Sequence, residues 1–109
     1  MVAMEERAAR IIRARLRSVA MGILAILDSR SFSLYRTDFA TLFIENPLEA
    51  YKVLVEATGG RERARVILRS LLIPLAGSPV KVLEAINALE RGDGSLVREL
   101  IKRAGSREG

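Results

Sequence analysis

The sequence predicts an all-α fold, and three observations carry that prediction. Half of the 109 residues are hydrophobic while only 5% are aromatic, so the core must be filled by Leu, Ile, Val and Ala, the side chains that packed helices use. The β-branched residues are scattered among Leu, Ala, Arg and Glu and never alternate with polar residues over the length of a strand. Helix punctuation recurs: Asn46-Pro47 and Ser78-Pro79 each pair a capping side chain with a proline at the first helical position, and Gly59 and Gly92 stand where helices stop. The expected architecture is a compact bundle of five main helices and one short one in a single domain, residues 1–109, because a chain of this size supports one core. No internal repeat, linker or low-complexity tract divides it.

From Ala3 to Ser29 one long helix is predicted, roughly 27 residues and ~40 Å at 1.5 Å per residue, more than a domain this small is wide. Part of it is therefore expected to project. Its helical spacing places Ala8, Ala9, Ile12, Leu16, Val19, Ile23, Ile26 and Leu27 on one face and Arg7, Arg10, Arg13 and Arg17 on another. From Val19 to Leu27 the polar stripe vanishes, which predicts burial against the chain's own domain and against a second copy, with small Ala20, Gly22 and Ala25 allowing close approach. The expected dimer interface is Ile12, Leu16, Val19, Ile23 and Ile26.

Ser29 to Thr37 reads as a serine-rich connector pinned by Phe32, Leu34 and Tyr35. The bundle proper spans residues 38–104. Thr37 or Asp38 caps a short helix carrying Phe39, Leu42 and Phe43 on one stripe, ended by Pro47. Asn46 then caps a helix to Thr58 whose covered face is Leu48, Tyr51, Val53, Leu54 and Ala57. Arg61 to Ala76 follows; from Val66 it is apolar on almost every side, which predicts the buried axis of the fold, with Pro74 tightening or ending it near Leu75 to Gly77. Ser78-Pro79 starts a helix with Val80, Val82, Leu83, Ile86 and Leu89 inward. After the Gly92-Asp93-Gly94-Ser95 turn, Leu96, Val97, Leu100 and Ile101 pack the last helix before Gly105.

Several function classes are disfavoured by composition. There is no cysteine, hence no disulfide, thiolate metal site or cysteine nucleophile, and no histidine, the commonest general base and metal ligand. No enzyme activity, cofactor or metal is expected. The pairs Glu45/Glu49 and Glu84/Glu90 fall on faces predicted to be wet and read as ordinary surface charge. Gly59-Gly60-Arg61-Glu62-Arg63 lacks the Lys and Ser/Thr of a phosphate loop and reads as a helix cap followed by solvated charges. The longest apolar runs fall far short of the ~20 residues of a membrane span. The arginines before Val19 belong to a helical period and no small-residue cleavage site follows Leu27, so no targeting segment is expected, and a cytoplasmic location is the working expectation.

The net charge of +5 is concentrated at the N-terminus, where residues 1–36 hold seven arginines against Glu5, Glu6 and Asp28. Arg7, Arg10, Arg13 and Arg17 are thus candidate nucleic-acid contacts, although no aromatic residue is interleaved to stack on bases. Pro79–Arg91 and Leu96–Arg103 have the length of a helix-turn-helix, with Ser95, Arg98, Glu99, Lys102 and Arg103 outward on the second helix.

Glu45-Asn46-Pro47-Leu48, Tyr51, Leu54, Gly59, Ala64, Leu68 and Leu71-Leu72 together resemble a small helical output domain of archaeal signalling and stand-alone proteins, named after its Nitrosopumilus members. The likeness covers about Asp38 to Arg103 and consists of capping and core residues. It implies a helical fold and an interaction or output role without assigned chemistry. The long N-terminal helix lies outside it. The resulting expectation is a non-enzymatic interaction or signal-output module, homodimeric, with an unidentified protein partner; nucleic-acid binding is the alternative.

Overall fold

The computed structural model describes residues 4–106, with side chains over 6–104. Seven helices follow one another: α1 (Met4–Val19), α2 (Met21–Tyr35), α3 (Phe39–Glu45), α4 (Pro47–Thr58), α5 (Arg61–Ala76), α6 (Pro79–Glu90) and α7 (Ser95–Ser106). There is no strand among the described residues. The chain is all-α as its composition predicts, but the N-terminal third differs from expectation.

The single helix expected over 3–29 is two helices, broken at Ala20, whose φ of −137° and ψ of 28° lie outside the helical region. The Ala20 N–H still donates to the Leu16 carbonyl at 2.8 Å, whereas the Ile23 N–H donates to the Ala20 carbonyl at 3.0 Å. Burial explains the bend. Ala8, Ile12 and Leu16 of α1 and Leu27 and Ser31 of α2 are all fully buried, and a straight helix of both segments would be ~48 Å long, against a greatest extent of 35 Å. Folding back at Ala20 packs α1 on α7, α5 and α3 instead of letting it project.

The expected connector from Ser29 is also helical, because Leu27, Ser31 and Tyr35 continue one inward row. Helix α2 closes only at Arg36, which adopts the left-handed φ of 63° and donates its N–H to the Phe32 carbonyl. Asp38 then caps α3 by accepting the Thr41 N–H at 3.3 Å, and Asp28 of α2 accepts the Phe39 N–H at 2.9 Å. Two carboxylates from different elements thus meet the donors at the start of one short helix. Asn46 caps α4 as predicted, accepting the Glu49 N–H at 3.4 Å, and Gly59 ends that helix with φ 84°.

One core takes residues from all seven helices. Phe39 and Phe43 stack within it, their ring centroids 6.2 Å apart. Helix α5 buries Ala64, Leu68, Leu71, Leu72 and Leu75, but it is not surrounded: Val66 and Ile73 are 62% and 45% exposed. A bundle of short helices in a chain this small has too few neighbours to cover one helix on every side. Val80, Leu83 and Leu96, expected inward, are exposed for the same reason, while Val82, Ile86, Leu89, Val97, Leu100 and Ile101 are buried.

Candidate functional site

An uncharged, largely exposed surface lies on α2. At 100° per residue, Met21, Phe32, Ala25, Ser29, Gly22, Ser33 and Ile26 fall within about 140° of that helix, and every one of them is exposed. Met21 is 74%, Phe32 55% and Ile26 48% exposed. None of the seven carries a charge, in a protein of which 28% is charged. The helix is held in place from its other side. Arg30 donates to Glu56 Oε1 at 2.6 Å, and the Tyr35 hydroxyl donates to Glu49, which also accepts from Lys52 Nζ at 3.1 Å. The bonds from Tyr35 and Lys52 hold the Glu49 carboxyl below its ordinary pKa, and the same bond to Glu49 pushes the Tyr35 hydroxyl up.

Where α2 starts, this face runs into a groove of about 400 Å³ between the α1–α2 bend, the end of α4 and the first turns of α5. Val19, Ala20, Gly22, Ile23, Ala57, Val66 and Ile67 make its apolar lining, with Thr58 and Arg63 as its polar members. The Thr58 hydroxyl is engaged, donating to the Leu54 carbonyl at 2.9 Å. A Cβ added at Gly22 would meet nothing within 4 Å, so no contact of its own chain requires glycine there.

The residues expected at a dimer interface divide accordingly. Ile12 and Leu16 are fully buried in the chain's own core and are withdrawn from any surface, because α1 folds back at Ala20. Val19 and Ile23 are half-buried at the groove, and Ile26 is exposed. Met21 and Phe32 were not expected at the surface. Met21 lies in the apolar run after Val19 but off the row of one straight helix, and Phe32 reads as a connector anchor in the sequence, whereas α2 continues through it to Tyr35.

The arginine row is present on α1 but is not free as a unit. Arg13 Nε donates to Asp38 Oδ2 at 3.1 Å and its Nη2 to the Thr41 hydroxyl at 3.3 Å. Burial pushes the Asp38 carboxyl up, yet the bonds from Thr41 and Arg13 outweigh it and leave the carboxyl below its ordinary pKa. Arg10 and Arg17 are exposed and Arg7 half-buried; Arg10 shares a cleft with Glu6 and Glu45, so the row is interleaved with negative charge. In the α6–α7 pair, Arg98 donates to the Glu45 carbonyl at 3.2 Å, closing the end of α3 rather than reaching outward, and Glu99 faces Arg103 at 3.9 Å.

Of the acidic pairs, Glu49 and Glu90 are each bound to a cationic side chain. Glu90 pairs with Arg65 at 2.6 Å, Glu49 is bound as described, and among the described residues no three Asp or Glu side chains converge as metal ligands. The buried Tyr51 hydroxyl has no hydrogen-bond partner; burial raises its pKa, and Glu90 adds to the rise. No protein-family profile matches the chain, and neither curated proteins nor solved structures give a significant match.

Proposed function

We propose that this chain is a non-enzymatic interaction module that assembles as a homodimer through the outward face of α2 and the adjoining groove. The observation that carries the reading is the uncharged face itself: Met21, Ile26 and Phe32 stand exposed among Gly22, Ala25, Ser29 and Ser33. Contiguous exposed apolar surface marks interaction sites, and two copies of a protein with net charge +5 meet most easily where neither brings a charge. The groove beside α2 has no acid or base in its lining apart from Arg63, which supports a binding rather than a catalytic role. An output function, of the kind implied by the resemblance over Asp38 to Arg103, belongs to the same proposal, with the dimer as the unit that meets a protein partner.

The test is mass in solution by sedimentation across a concentration series. A concentration-dependent dimer is expected, and Ile26→Glu should return it to monomer with helical circular dichroism unchanged, since Ile26 is exposed and lies outside the core cluster. A wild-type chain that stays monomeric at the highest concentration sinks the proposal.

A further inference from the structure

The bend at Ala20 has only a weak local cause in the sequence. No proline lies near the bend, Gly22 is the weakest helix former beside it, and alanine is among the poorest residues for starting a helix because it offers no acceptor to the free N–H groups. The start of α2 accordingly has no side-chain cap. Gly22 weakens a continuous helix by about 1 kcal/mol but does not impose a bend; the burial of α1 against its own core is what opposes straightening.

The α2 face raises a second difficulty. A helix of 15 residues is ~22 Å long, and a strip ~10 Å wide along it, even with the lining of the adjoining groove added, falls well short of the ~800 Å² that each partner of a stable complex buries. Straightening at Ala20 resolves both. The helix Met4–Tyr35 would be ~48 Å long, beyond the 35 Å extent of the molecule, so α1 could not remain on its own core. The site it vacates, between α3, α5 and α7, fits an identical α1.

We infer that Ala20 is a hinge at which α1 and α2 join into one helix and α1 passes to a second copy of the chain, giving a domain-swapped dimer. Each copy regains the burial of Ala8, Ile12 and Leu16 from its partner. The two straightened helices cross near the hinge, where Gly22 and Ala25 let their backbones approach and Met21 and Ile26 are covered. The inference rests on the homodimer proposed above and adds how it forms.

The chain has no cysteine, so cross-linking is clean. Arg15 Nε lies 3.2 Å from the Ser70 carbonyl, and Arg15→Cys with Ser70→Cys places two thiols for a short bis-maleimide. Two singly substituted chains, one of each kind, are mixed, refolded together, isolated at dimer mass and cross-linked. A second measurement follows exchange between isotope-labelled and unlabelled dimers by native mass spectrometry. A swapped dimer gives covalent heterodimer and exchanges over hours, because α1 must leave a core. Ala20→Gly should weaken that dimer about tenfold, since glycine disfavours the continuous helix while tolerating the bend. Dimers that form no covalent product, or that exchange within seconds, overturn the swap and leave the surface dimer standing. Monomers alone at every concentration overturn both.

Discussion

Asp38 shows how much one side chain can settle. It caps α3 through the Thr41 N–H and receives Arg13 of α1, so a single carboxylate fixes a helix start and fastens the N-terminal helix to it. Its folded pKa is lowered. The stabilisation it supplies is therefore complete above the ordinary carboxylate pKa and is lost as pH falls through the depressed value. Asp38→Asn keeps a capping oxygen but loses the charge, so it should cost about 0.5–1 kcal/mol near neutral pH, the size of a partly exposed ion pair. Urea titrations should show that cost fading in acid, where wild-type Asp38 is also protonated. A cost that does not change with pH would mean the ion pair with Arg13 contributes nothing.

At the scale of an element, α5 illustrates a backbone defect put to use. Pro74 has no N–H to give to Ser70, the residue four positions earlier, and the Ser70 carbonyl accepts the Arg15 guanidinium at 3.2 Å. A proline that interrupts one helix thereby links it to another. Arg15→Ala should cost ~1 kcal/mol in the natural sequence, as a charge-assisted hydrogen bond does. In a Pro74→Ala background, where Ser70 regains a helical partner, it should cost about half as much. Equal costs in the two backgrounds, measured by urea unfolding, would show that Pro74 does not prime the contact. Arg65 joins α5 to α6 in a related way, reaching both Glu90 and Asn87.

For the whole molecule, the distribution of charge matters more than its sum. The positive row of α1 is interrupted by Asp38, Glu6 and Glu45, while the α2 face is neutral. Association through α2 should change its dissociation constant by less than about threefold between ~0.05 and ~0.5 M salt, since screening acts on charges that this face lacks. A steep dependence would point to the arginine row instead. Duplex DNA offered at low salt completes the comparison, because binding through Arg10 and Arg17 should weaken strongly as salt is added.

The helices of residues 38–104 could be read from the chain because their boundaries are local. Asn46, Pro47 and Gly59 act within one turn of themselves, and the apolar spacing of α4 and α7 names most of their buried residues. The α2 face was half legible: the loss of polar residues after Val19 is visible in the sequence, and Ile23 and Ile26 follow from it. The bend at Ala20, the burial of Ile12 and Leu16 and the exposure of Val66 and Met21 are not local facts. They depend on which helices lie beside which, and on how few there are to go round. The sequence by itself determined that this chain is helical, where most helices start and stop, and that its N-terminal region carries more apolar surface than one small domain needs. Only tertiary structure decided which of that surface stays outside, because a ~48 Å helix cannot bury both its halves within a molecule 35 Å across without folding in two.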